Sequence, residues 1–493
     1  MGSLPGERRQ RNKVQKLIND TPKPLTIVVI FIISLFFGIL MLMLVQAIPG
    51  KYIEEHAKSA VAIFSPDSRK TLLLNQNNSL IHYYSEAHLY QLAMGDYSNL
   101  STDDEAQQSS STIGKAWQSA LGASYYWDDA YWYQRNGLGD KFPADDTMVQ
   151  SFAERVNGAQ PNYMHPQYWD GTRVPLRIFG SFLDYSGIRI LNSVILFVLF
   201  TACFILLLRN VDLLTALAFL VSCILTTVFV VPMSVTYISV FALAALGVIA
   251  VLMLAKRGIL MRYAFILFLL LGILTAYFDL FTAPLVTLGY PLVVAVVCLL
   301  KSNLKKDARR ILLFALSAVG MWLLGYAGFW ALKILIAAPF GSFGQASWGI
   351  SRWSVAYEAG YTTPNYLWLL MRALAKNLGT LMGAHASDAT AVNAKLVGRA
   401  IIAACLILGC ICVGVLFGIL KKNKEENASK GSILALPLIG LIPLGRLIIT
   451  AGHCEEHPYM TFREWGVTLF AVFVFVGFVI KQLRLNNNHK KLR

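Results

Sequence analysis

The sequence predicts an all-α polytopic membrane protein with about ten transmembrane helices and a long first loop outside the cytoplasm. Three observations predict it. Hydrophobic residues make up 56% of the 493 positions and charged residues 14%, whereas roughly a quarter are charged in ordinary soluble domains. Apolar runs of about 20 residues, the length that spans a bilayer, recur along the chain. Lysine and arginine, which carry the formal net charge to +15, concentrate in short segments between those runs. That placement follows the positive-inside rule, so the lipid bilayer is the expected partner and nucleic acid is not.

Residues 1–24 form a basic cytoplasmic tail that includes Arg8, Arg9, Lys13 and Lys16. Transmembrane helix 1 occupies 25–48; it is too long for a typical signal-peptide core and lacks a convincing cleavage site, so it reads as retained. Residues 49–189 follow as an extracytoplasmic loop domain, rich in Tyr, Trp and carboxylates. Helices 2–7 fill 190–337, and a second extracytoplasmic loop fills 338–398. Helices 8–10 fill 399–480, and 481–493 is a second cytoplasmic tail. The inner loops this implies hold Lys256 and Arg257, then Lys301 to Arg310, then Lys421 to Lys430, which places both termini in the cytoplasm and the chain in the cell's inner (cytoplasmic) membrane.

In the second loop, Thr363-Pro364 is a helix-start signal. Leu367, Leu370, Met371, Leu374 and Leu378 then recur at helical spacing, with Arg372 and Lys376 on the opposite face. This predicts an amphipathic helix lying in the outer interface. Six of the seven cysteines fall within apolar runs, so no disulfide framework is expected.

Ionisable residues beside hydrocarbon are the informative ones, because an arginine near the bilayer centre costs roughly 2.5 kcal/mol or more. Arg446 lies inside the ninth run and Asp279 closes the fifth. Arg446, Thr450, His453 and His457 are spaced by four, three and four residues, so a continuous helix would put them on one face. Pro458 would stop that helix, and Arg463 would fold back over the last span. Two guanidinium groups and two imidazoles at one rim suit a donor phosphate, whose oxygens match paired arginine donors. Arg446 snorkelling to the interface, a zinc site on the His pair and a capping role for Asp279 are the plainer alternatives.

Glu86, flanked by Tyr83, Tyr84 and Tyr90, is the candidate general base, with Glu54 and Glu55 as alternates. Trp169 and Asp170 are candidates for sugar contact, and Asp279 and Arg372 complete the candidate substrate-binding set. With no P-loop and no convincing dinucleotide fingerprint, a transferase with its site outside the cytoplasm needs a lipid-borne donor.

The long first outer loop bearing an acid on an amphipathic helix, followed by a multi-helix bundle, resembles the GT-C superfamily of membrane glycosyltransferases. The resemblance rests on Tyr84-Ser85-Glu86-Ala87, on Tyr168-Trp169-Asp170-Gly171 with Arg177 and Arg189, on Phe278-Asp279, and on the His453, His457 and Arg463 loop. The chain also looks like a largely uncharacterised group of bacterial multi-pass proteins sharing the later motifs. The resemblance implies an inverting transfer from a polyprenyl-phosphate sugar donor to a cell-surface glycan or lipid acceptor. Glu86 would take the acceptor's proton, and Arg446, Arg463 and the two histidines would meet the charge of the leaving phosphate. A divalent metal, Mg or Mn, is an optional companion in that superfamily. Outside it, a transporter or flippase for a lipid-linked sugar and a non-catalytic polysaccharide assembly protein are the competing readings.

Overall fold

Apolar runs fold into helices here because a backbone in hydrocarbon must satisfy its own hydrogen bonds. The computed structural model describes residues 22–64, 81, 83–95, 125–126, 144–159, 163–164, 168–302, 308–337, 366–383, parts of 397–411, and 433–491. Helix α1 (Pro24–Leu44) begins on a proline, whose missing N–H is no loss at the first helical position. It continues through a short 3-10 turn, Val45–Ala47.

In the loop domain the described residues form α2 (Gly50–Phe64), α3 (Tyr83–Met94), α4 (Ala144–Val156) and α5 (Arg173–Gly180). Phe64, Tyr90 and Phe152 pack together with Tyr185 in an aromatic core under this domain. A short antiparallel pairing joins β1 (Tyr125–Tyr126) to β2 (Tyr163–Met164).

The bundle comprises α6 (Tyr185–Asn210), α7 (Leu213–Leu225), α8 (Ile238–Lys256), α9 (Leu260–Phe278), α10 (Leu285–Lys301) and α11 (Ala308–Ala337). Asp184 and Asp212 cap α6 and α7 by accepting from Gly187 N and Thr215 N. Helix α10 is the central element, buried along nearly its whole length against α8, α11 and the final helix. Helices α9 and α11 pack backbone to backbone: a Cβ on Gly272 would sit 2.2 Å from Trp322 O, and one on Gly325 would sit 2.3 Å from Leu269 O. Small residues permit such approach where lipid tails give no hydrophobic drive to association.

Beyond α12 (Tyr366–Leu381), the chain closes with α13 (Ala435–Ile439), α14 (Ile442–Ile449), α15 (Ala451–Glu456), α16 (Pro458–Thr461) and α17 (Trp465–Lys491).

Among the described residues, six stretches are helices long and apolar enough to cross a membrane: Pro24–Ala47, Tyr185–Asn210, Ile238–Lys256, Leu260–Phe278, Ala308–Ile336 and Pro458–Lys481. Four expected spans are shorter apolar helices: Leu213–Leu225, Leu285–Lys301, Arg399–Gly409 and Ala435–Ile449. The apolar sequence 212–231, within the stretch assigned to helices 2–7, stops being α-helical at Leu225 because Thr227 adopts φ +53° and Pro232 lies in a 3-10 turn, Val228–Met233. The run 432–450 divides between Gly440 and Leu441. Thr363-Pro364, the acidic stretch 103–111 and the basic segment 421–430 lie outside the described residues.

Candidate functional site

The turn between α9 and α10 gathers Asp279, Arg446 and Glu464, three buried charges of the bundle. Asp279 is the C-cap of α9; its Oδ1 accepts from Thr282 N at 3.0 Å and from the Thr282 hydroxyl. Its Oδ2 is buried with no hydrogen-bond partner among the described residues, and the residue is 3% exposed. In a native protein such an orphaned acceptor is rare and needs an explanation. Burial pushes the Asp279 carboxyl up to about 6, against the opposing pull of the Thr282 hydrogen bonds and of Arg446. Two residues on, Phe281 has φ +63°, an outlier for a bulky aromatic side chain.

Arg446 reaches this turn from α14. Its Nη2 donates to Phe281 O at 2.7 Å and its Nη1 to Thr282 O at 3.3 Å. Nη1 also forms a buried ion pair with Glu464, whose Oε1 accepts from Leu285 N at 3.0 Å. Arg446 therefore neither snorkels nor presents both arms of its fork to a phosphate; the fork is occupied by a carboxylate and two carbonyls. Glu464 was absent from the sequence-derived set, although an arginine inside an apolar run demands a counter-charge. An acid at the start of the next run was the available signal.

His453 donates from Nε2 to Phe281 O at 3.0 Å, which fixes that nitrogen as the protonated one when the ring is neutral. Its ring lies 4.8 Å from that of His457, whose Nδ1 is 2.9 Å from the Tyr459 hydroxyl. The sequence spacing thus does bring Arg446, His453 and His457 to one side, across bends at Thr450 (ψ 47°) and His457 (ψ 50°). Pro458 begins α16, which ends the helix as its position requires.

Trp169 and Asp170 are not placed for sugar contact. Trp169 is fully buried, donates from Nε1 to Phe329 O at 2.9 Å and stacks on the Phe329 ring at 4.7 Å. Asp170 is buried at φ +52°, and Gly171 N donates to Tyr277 O at 2.8 Å. This segment docks the loop domain onto the end of α9 at Tyr277 and the side of α11 at Phe329. The sequence could not separate a stacking platform from a core tryptophan, because both need only an aromatic beside a turn.

Glu86 lies on α3 as expected, fully buried, with both carboxylate oxygens taken up by hydrogen bonds. Five donors converge on its carboxylate: Ser234 Oγ, Val235 N at 2.9 Å, Thr236 N at 3.1 Å, Thr236 Oγ1 at 2.6 Å and the Tyr185 hydroxyl at 2.8 Å. The site lies just ahead of the N-terminus of α8, where the helix dipole favours an anion. A carboxylate held this way serves as an anchor between the loop domain and the bundle; its lone pairs are already taken. Arg177 completes the anchorage, donating to Ala93 O at 2.9 Å and Met94 O at 3.2 Å at the end of α3, and to Ile48 O.

Arg463 does converge on the segment that Glu86 holds. Its guanidinium lies over the Tyr237 ring at 4.5 Å and donates to Tyr459 O, fully buried. It braces the protein rather than facing a donor phosphate. Of the alternates, Glu54 is 3.7 Å from Arg155, and Glu55 is exposed on α2.

Arg372 and Lys376 both reach Glu455, Arg372 at 2.7 Å and Lys376 at 2.5 Å, and Asn377 donates to Cys454 O at 2.8 Å. The polar face of α12 therefore points into the protein while Leu367, Trp368 and Met371 face outward. Arg372 ties α12 to the histidine-bearing helix instead of binding substrate. An inside-out amphipathic helix is what hydrocarbon surroundings select, because there the polar face is the one that must be hidden.

The architecture and site define an all-α membrane protein with a buried ionisable layer at one end of its bundle. Comparison of the chain with protein-family models, curated proteins and solved structures finds no match.

Proposed function

We propose that this chain is a membrane glycosyltransferase that moves a sugar from a polyprenyl-phosphate donor to a glycan or lipid acceptor at the extracytoplasmic face. The observation that carries the reading is Asp279: a carboxylate with one oxygen fixed by Thr282 and the other buried without a partner among the described residues. It stands beside a histidine pair at the end of an apolar bundle. A general base needs an oriented lone pair and a pKa near the working pH, and Asp279 has both.

In this reading Asp279 Oδ2 accepts the proton of the acceptor hydroxyl, and that oxygen attacks the anomeric carbon. The bond from the anomeric carbon to the phosphate oxygen breaks, and polyprenyl phosphate leaves with the electron pair. His453 and His457, partly exposed at the same rim, face the charge that develops on that phosphate. Glu86, Arg177 and Arg463 hold the scaffold. The six long spans and the shorter apolar helices together support ten crossings, with both termini in the cytoplasm and the chain in the cytoplasmic membrane.

The test is a panel of labelled polyprenyl-phosphate sugars presented to the purified protein in liposomes with envelope-derived acceptors. Release of polyprenyl phosphate with label moving to the acceptor supports the reading. Movement of intact donor between leaflets without transfer contradicts it.

A further inference from the structure

Two carboxylates, Asp279 and Glu464, are buried at 3% and 2% exposure around one turn, Asp279 accepting from Thr282 N and Glu464 from Leu285 N, each at 3.0 Å. Two buried acids at the ends of apolar helices coexist by keeping a proton or by holding a cation, a divalent metal among them. Here another group stands in that place. Arg446 pairs with Glu464 through Nη1 and spans the Phe281 and Thr282 carbonyls with its two terminal nitrogens. Thr282 in turn holds Asp279, and Glu464 accepts from Leu285 N at the end of the same turn. The guanidinium thus lies between an acid and the carbonyls that a hard cation would use, in a plane matched to the carboxylate. Among the described residues no cluster of three or more His, Cys, Asp or Glu side chains is arranged to hold a metal.

We infer that Arg446 is the resident cation of a dicarboxylate site, supplying through its guanidinium the positive charge that a divalent metal would otherwise bring to Asp279 and Glu464. The residues do not fit the optional Mg or Mn of the GT-C resemblance at this turn. Arg446 leaves one carboxylate neutralised and the other, Asp279, with a lone pair for a proton donor. The inference holds whether or not the chain transfers a sugar, because it concerns which cation the acids accept.

It has a consequence that a purely structural ion pair would not share. Deleting the guanidinium should leave two acids and two carbonyls around one turn, an oxygen-rich set suited to Mn2+. The experiment is electron paramagnetic resonance of free Mn2+ titrated with purified wild type, Arg446→Ala, and the double variant Arg446→Ala/Asp279→Asn. Arg446→Ala should gain one Mn2+ per chain, bound at least about tenfold tighter than any site on wild type, and the double variant should lose it. A wild-type Mn2+ site abolished by Asp279→Asn alone would overturn the inference, and so would a folded Arg446→Ala with no new site.

Should Arg446→Ala fail to fold, melting of wild type and Asp279→Asn in Mn2+ and in chelator decides the point. Melting of wild type unchanged between the two supports the inference. A Mn2+-dependent rise in wild type that Asp279→Asn removes overturns it.

Discussion

Replacing Glu86 by glutamine should destabilise the protein rather than silence a base. The carboxylate accepts five hydrogen bonds in a fully buried setting. Glutamine keeps the volume but substitutes an NH2 for one oxygen. The hydroxyls of Ser234, Thr236 and Tyr185 can rotate to accept from it, whereas the Val235 N–H can only donate. At least one charge-assisted bond is lost and one buried donor orphaned, a cost of about 2–5 kcal/mol. The strain falls where the loop domain meets the N-terminus of α8, so α3 should come loose before the bundle does.

Buried thiols at Cys203, Cys223 and Cys454 make a thiol-reactive fluorophore a direct melting probe for detergent-solubilised protein. Wild type and variant must be heated at one scan rate, since membrane-protein melts are commonly irreversible. The variant should label at lower temperature, and protease should cut near α3 earlier. A variant with the wild-type melting curve and no turnover would refute the anchoring argument and return Glu86 to the chemistry.

Three further outcomes follow from the same structure. Gly171→Ala should prevent proper docking of the loop domain, because the new Cβ would fall 2.4 Å from the Tyr277 ring and 2.6 Å from its carbonyl oxygen; yield of folded protein by size exclusion reads this. Glu455→Gln should loosen α12 by removing the acid that Arg372 and Lys376 share, leaving two cations facing a neutral amide, and the thiol melt should shift down with early exposure of Cys454.

The pH dependence of transfer should rise from pH 5 to pH 7 with its inflection at about 6, the value of Asp279. For stability the sign is the reverse. The folded-state value lies above the ordinary carboxyl value, so the folded protein binds the extra proton. That contribution is whole below the ordinary carboxyl range and is lost as pH rises through about 6. Asp279→Asn should remove that slope from a series of melts between pH 4 and pH 7.

Much of the fold was legible because hydrophobic run length and basic punctuation report directly on the bilayer. The helical character of Tyr83–Ala93 was readable, and the spacing from Arg446 to His457 foretold which groups share a side. Partnership was not legible. A buried glutamate beside tyrosines reads alike whether it abstracts protons or caps a distant helix, and its partners at Ser234, Val235 and Thr236 lie about 150 residues away. Trp169 shows the same ambiguity, settled only when Phe329 is found beneath it. For α12 the spacing placed Leu367 and Met371 away from Lys376, but Leu378 is buried on the inward side with Lys376 and Asn377, which the pattern did not foretell. Phe281 carries no signature of its left-handed backbone, since glycine or asparagine is the usual marker of that conformation.

The most direct measurement of the central claim is single-turnover sugar transfer by Asp279→Asn in liposomes, with its thermal melt recorded alongside. The account predicts a loss of about 10²–10⁴-fold in rate, with the protein folded and donor still bound. Transfer at the wild-type rate by a folded Asp279→Asn protein would contradict it.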